Sequence, residues 1–302
     1  MSFADVLFVV EAKAGVIPMH SPATNFDRHE RTIQELIIKA YDQCKRFLDY
    51  LASVAEVPIY ARSSSEFVEV GKLRQRGYRL IFPIGLTIES FTPFSAMCKE
   101  FPEIRPLLDG KHPFISMSVD DLFVLTRFLP TAGQLLHYLE VRQAVAGIQR
   151  AMLFDEIDHL GAYITQNRVD VTVREQLKEA DMIMMDSFGD IVDKYFEGES
   201  WRTTTLPHEK FPEEVASILC ALDKHRTAHW LYMDSHVRNL GSNARANFAR
   251  VVSQLRVTLS HYPRRRFLIG GGGSPILVWL CRNGSETSPT EMRYQSEVAF
   301  LQ

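Results

Sequence analysis

Glu11 and Lys13, in the run VVEAKAG, are the residues whose types and spacing best suit chemistry. On an extended strand, side chains two positions apart share a face, so a carboxylate and an ammonium would stand side by side. That pair suits metal-assisted hydrolysis of a phosphodiester. The carboxylate binds a hard cation, and the lysine orients the attacking water or steadies the charge that develops on phosphate. Such pairs also serve as exposed ion pairs at strand ends, so context decides how much weight this one carries. Here an almost wholly apolar run, FADVLFVVEA at residues 3 to 12, precedes it, and Ala14, Gly15 and a loop leading into a helix follow.

Other groupings carry less. Asp155, Glu156, Asp158 and His159 cluster, and on a helix Asp155, Asp158 and His159 share a face, which reads first as a solvated helical surface and second as a metal site. His225 and His229 have the i, i+4 spacing of two zinc ligands without a surrounding H-E-x-x-H pattern. Gly270 to Gly273 lack the lysine and the spacing of a phosphate-binding loop and read as a hairpin turn. Two basic stretches, Arg62 to Arg79 and Arg264 to Arg266, read as solvated faces, the second also as an accessory phosphate-touching surface.

The elements that must position Glu11 and Lys13 follow from periodicity. Residues 3 to 12 are too short for a helix and rich in Val and Phe, which predicts a buried strand. After a loop from Gly15 to Asp27, Ile33, Leu36, Ile37, Ala40, Tyr41, Cys44, Phe47, Leu48 and Leu51 recur at three- and four-residue spacing, predicting an amphipathic helix over about 29 to 52. Extended pieces at Pro58 to Arg62 and Glu66 to Val70, a turn at Arg76-Gly77 and a strand across Tyr78 to Ser90 complete a small α/β unit.

From Pro93 the pattern turns helical. Ser118 caps a helix over about 119 to 129, and further helices are expected near 131 to 151, 154 to 165 and 174 to 196. Trp201 to Pro212 reads as a linker. Beyond it come helices near 213 to 225 and 243 to 261, a hairpin of Arg266 to Ile269 with Ile276 to Cys281, and a strand over Met292 to Leu301. The domains expected are 1–92, 93–200 and 201–302.

Composition narrows the class. With 302 residues, 46% hydrophobic and 24% charged, the chain is neither disordered, collagen-like nor coiled-coil. The cysteines Cys44, Cys98, Cys220 and Cys281 form no C-x-x-C pair, which argues against a zinc ribbon or a disulfide framework and for the cytoplasm. There is no signal peptide pattern and no apolar stretch of membrane-spanning length, so no membrane association is expected. A net charge of -3 means that any nucleic-acid contact must be local.

The segments VLFVVEAKAG, YDQCKRFLDYL and RLIFPIGLTIE together resemble the later part of the PD-(D/E)XK nuclease superfamily core, including nuclease-related bacterial proteins. The resemblance covers about residues 3 to 91. Residues 93 to 302 resemble the appended portion of uncharacterised bacterial proteins with such a core, for which no activity follows. The resemblance implies an α/β fold: a partial restriction-endonuclease-like core, a mixed sheet flanked by helices, followed by a helical and then an α+β region. It implies Glu11 as metal ligand for Mg²⁺ or Mn²⁺, Lys13 as the group that activates water or steadies the phosphorane, and Gln43 facing them to position a water or phosphate. The substrate would be DNA.

One departure stands out. The superfamily carries a further acidic ligand, usually Asp, on a preceding strand, and Asp5 is the only upstream acid. Six residues of strand separate Asp5 from Glu11 by about 20 Å, too far for one ion. Asp27, Glu30, Glu35 or another chain would have to supply the ligand, or the core is truncated. Truncation would leave the first strand unpaired and prone to self-association. The alternative is a non-catalytic nucleic-acid-binding or protein-interaction module on a degenerate nuclease fold.

Overall fold

The apolar run at the start of the chain folds as two strands. In the computed structural model, which describes residues 1–15, 24–89, 105–153, 155–269, 276–282 and 288–300, β1 (Ser2–Phe3) turns back on β2 (Val6–Lys13). Ala4 takes the tight turn at φ 50°. A long helix follows, in three parts: α1 (Phe26–Ile33), a π-helical turn (Gln34–Ile38) and α2 (Lys39–Ser53). Next come β3 (Val57–Ser63), β4 (Glu66–Leu73), a 3₁₀ turn (Gln75–Gly77) and β5 (Leu80–Thr87).

Beyond the undescribed residues 90–104, a short α3 (Arg105–Leu108) leads to β6 (Ile115–Ser118), α4 (Val119–Phe128) and α5 (Ala132–Ala146). Then come β7 (Ala151–Leu153), α6 (Glu156–Gln166), α7 (Val169–Gln176), β8 (Ile183–Met185) and α8 (Asp190–Glu197). The chain closes with α9 (Glu213–His225), α10 (Trp230–Arg238), α11 (Ser242–Thr258), β9 (Arg264–Ile269), β10 (Ile276–Cys281) and α12 (Pro289–Phe300). Two compact units result: residues 1–209 with 226–238, and residues 210–225 with 239–302.

The first unit is α/β with a mixed sheet in the order β1-β2-β5-β6. β1 runs antiparallel to β2, while β2, β5 and β6 are parallel. Parallel neighbours need a long crossover, and here α1, α2 and the β3–β4 hairpin supply it between β2 and β5. Along β2 the burial alternates. Val9, Glu11 and Lys13 are partly buried, whereas Val10 and Ala12 are exposed. Val9 packs against the helix cluster that includes Ile37, Tyr41 and Cys44, and against a second cluster that includes Leu51 and Ile81. Thus the helix covers the face of β2 that bears Glu11 and Lys13.

The π turn explains how one helix buries so much. Leu36, Ile37 and Ile38 are all buried although consecutive, and successive residues of an α-helix point about 100° apart. The wider π step narrows that spread, with the amide of Lys39 reaching back to the carbonyl of Gln34. β5 is tolerant of Pro83 because β6 pairs only with Ile84–Thr87. Below that stretch, the Gln143 amide stands in for a strand, donating to the carbonyls of Ile81 (3.0 Å) and Pro113 (2.9 Å).

Three expectations are corrected. The helix expected over 131 to 151 stops at Ala146, and residues 151–153 form a strand. The helix expected over 174 to 196 is instead the end of α7, then β8, then α8. The cause is tertiary: three-residue strands β7 and β8 pair in parallel, and strands that short carry no period of their own. The strand expected over Met292 to Leu301 is the helix α12, and the cue was present. Ser288 accepts from the Glu291 amide, with Pro289 at the first helical position. Finally, α10 was not anticipated. The hairpin β9–β10 is antiparallel as expected, and its four glycines lie outside the described residues. No helix among the described residues is long and apolar enough to cross a membrane.

Gly85, level with Glu11 across the β2–β5 ladder, sits under Phe114; a Cβ there would stand 2.6 Å from the ring. Gly85→Ala is expected to cost about 1–3 kcal/mol in urea unfolding. Adding Phe114→Leu should recover part of the loss, because the two changes share one contact.

Candidate functional site

Glu11 and Lys13 stand at the carboxyl end of β2, alongside the carboxyl ends of β5 and β6, the place where open α/β sheets present their ligand-binding crevices. The Lys13 ammonium donates to Glu11 Oε1 at 2.9 Å and also to Gln43 Oε1 on α2. The structure therefore brings together all three residues singled out in the sequence. Their arrangement is a lysine held between a carboxylate and an amide oxygen, with Lys13 and Glu11 side chains 20% and 30% exposed, so solvent-borne groups reach them.

Beneath this cluster lies Cys44, one residue beyond Gln43. Its thiol is buried and donates to the Val9 carbonyl at 3.5 Å. Burial, reinforced by the Glu11 charge, pushes the thiol pKa up to about 11. It is a packing group and not a nucleophile.

Two open clefts of about 600 and 670 Å³ meet at Lys13. They carry six cationic side chains, Lys13, Arg28, Arg31, Lys39, Lys45 and Arg46, against two lining carboxylates, Glu35 and Asp42. Even with Glu11 on Lys13 and Asp49 on Lys45 counted, cations outnumber acids. This basic ledge was missed in the sequence, where charged helix positions read as a solvated face. The usable signal was the spacing of Arg28, Arg31, Lys39 and Arg46, three, eight and seven residues apart on the long helix that also carries Gln43.

The proposed acids do not complete a cation site. Asp5 lies before β2 and accepts from Arg79 Nε at 2.8 Å. Asp27 and Glu30 are exposed on α1 and line neither cleft. Glu35 lines one, but its carboxylate is paired with Lys39. Among the described residues no group of three or more His, Cys, Asp or Glu is placed to hold a metal. Glu11 alone offers one carboxylate, and a lysine occupies one of its oxygens. These residues do not fit a resident Mg²⁺ or Mn²⁺.

The remaining candidates are structural. Asp155 caps α6 by accepting from the Asp158 amide (2.7 Å), and Asp158 accepts from the Gly189 amide (2.8 Å). Glu156 is buried against Tyr138 and Arg142; burial pushes its carboxyl pKa up against the pull of the guanidinium. His159 is buried. His225 ends α9 while His229 lies in the turn before α10 at φ 61°, so the helical spacing of zinc ligands is not realised. Comparison with known proteins adds no relative: no protein-family model, curated protein or solved structure matches the chain.

At pH 8 Cys44 should resist thiol reagents in the native protein while the exposed Cys220 and Cys281 react, as read by peptide mass mapping. A raised folded pKa also sets the sign of the pH effect. This thiol's contribution to stability is intact below about pH 9 and is lost as pH rises through about 11.

Proposed function

We propose that the chain is a nucleic-acid-binding protein on a nuclease-like core, which seats the phosphate backbone of DNA on the basic ledge around Lys13. The observation that carries this reading is the six-cation ledge converging on a strand-end lysine already oriented by Glu11 and Gln43. Phosphates would take the outer cations Arg28, Arg31 and Arg46, whose guanidinium forks match phosphate oxygens. Lys13, held in place by two acceptors, would give a fixed charge at the centre. The strand–helix–strand arrangement with Glu-x-Lys at a strand's carboxyl end supports a nuclease ancestry for the core. A cytoplasmic location belongs to the same reading.

A hydrolytic reading has one observation in its favour, the meeting of Glu11, Lys13 and Gln43. It lacks a second carboxylate among the described residues. The full chain should therefore bind a fluorescent DNA duplex without cutting it in Mg²⁺ or Mn²⁺. The combined Arg28→Ala, Arg31→Ala, Arg46→Ala variant should flatten the salt dependence of log Kobs by about 2.7, the value for three lost phosphate contacts. An unchanged slope would sink the binding reading. Metal-dependent cleavage that disappears in Lys13→Ala would replace it with the hydrolytic one.

A further inference from the structure

The second unit differs in charge from the rest of the chain. Residues 210–225 and 239–302 hold ten Lys and Arg against six Asp and Glu, a net charge of +4, whereas the remainder holds 24 against 31, a net charge of -7. The overall charge of -3 conceals this division. Within residues 239–302 every cation is arginine, eight in all, the side chain whose planar fork pairs bidentately with phosphate and stacks on aromatic rings.

Four of these eight arginines, Arg264, Arg265, Arg266 and Arg282, lie at one end of a β-ribbon. In the β9–β10 hairpin, Arg264 pairs with Cys281, Arg265 with Leu280 and Arg266 with Trp279. The Arg282 amide extends the ladder by bonding the Pro263 carbonyl at 3.0 Å. Arg266 and Arg282 are exposed. Arg265 lies over the Tyr262 ring at 3.9 Å, its Nε donating to Thr258 Oγ1 at 3.0 Å, and Tyr262 is itself 52% exposed. Phe267 packs on Phe248 of α11, so the ribbon is anchored to a helix. Glu291 of α12 is paired with Arg264.

We infer that the arginine end of the β9–β10 ribbon, with Tyr262, is a second polyanion-binding surface whose partner is single-stranded nucleic acid. The charge excess and the arginine forks select a phosphate backbone. The half-exposed Tyr262 selects strands with unstacked bases, because a base stacks on an aromatic face sequence-tolerantly. The inference does not rest on the ledge around Lys13, and it is tested with that ledge disabled.

In the full chain already carrying Arg28→Ala, Arg31→Ala and Arg46→Ala, binding of labelled oligothymidylate is followed by anisotropy across a salt series. Adding Arg265→Ala, Arg266→Ala and Arg282→Ala should weaken binding at least about tenfold and flatten the salt slope by about 2, the value for three contacts on a single strand. The corresponding triple lysine variant should keep most of the slope, which separates lost charge from lost folding. Tyr262→Ala should weaken oligothymidylate binding, and Tyr262→Phe should not. The inference is overturned if the alanine triple leaves affinity and slope unchanged. It is equally overturned if the lysine triple binds no better than the alanine triple, if Tyr262→Ala has no effect, or if phosphatidylserine vesicles compete as well as unlabelled oligothymidylate.

Discussion

The parallel pairing of β2 with β5 over eight residues, Val6 with Leu80 through to Lys13 with Thr87, is the constraint on which the rest of the first unit depends. Parallel strands cannot be joined by a tight turn. The chain leaving Lys13 must therefore travel back along the sheet before it can enter β5, and the long helix makes that journey. Its amphipathic stripe then has a single place to go, the face of the sheet carrying Val9, Ile81 and their neighbours. Glu11 and Lys13 lie on that same face, so Gln43 meets them as a consequence of packing and not of any separate device.

The ends of this pairing are fixed by polar groups. At the start, Asp5 takes the amides of Arg79 and Leu80 on its carbonyl and the Arg79 guanidinium on its carboxylate. The same guanidinium reaches Glu140 of α5 at 3.7 Å and lies over Tyr232 of α10 at 5.7 Å. One arginine thereby ties the sheet to two helices that are distant in sequence. Burial of an ion pair alone is weak support for a fold; its value here is that it sets where β2 begins, and hence which residues reach the strand's end.

What the sequence revealed and what it concealed have physical causes. The strand bearing Glu11 and Lys13 and the apolar stripe of the long helix were readable because both signals are local, the first a short apolar run rich in Val and Phe and the second a three- and four-residue recurrence. The β9–β10 hairpin was readable for the same reason. β7 and β8 were not, because three residues show no period and only the pairing of Ala151–Leu153 with Ile183–Met185 makes them strands. α12 was legible too, in Ser288 and Pro289 at its start, although the segment Met292 to Leu301 reads as extended. The basic ledge was hidden for another reason: Arg28, Arg31, Lys39 and Arg46 become a surface only when the helix is laid beside Lys13. Whole-chain charge hid the arginine-rich unit, since an average over two units of opposite sign says little about either.

The π turn at Gln34–Ile38 bears on how relatives of this chain would have to be compared with it. Five residues at the π step sweep about the same rotation as four at the α step, so the turn absorbs one residue without re-aiming the helix beyond it. Gln43 would face Lys13 equally well in a chain lacking that residue, but its number would fall by one. The interval between the glutamate and the glutamine is therefore elastic, while the direction in which the glutamine points is not. An alignment that fixes the interval and forbids a gap inside the helix would place the wrong side chain opposite the lysine.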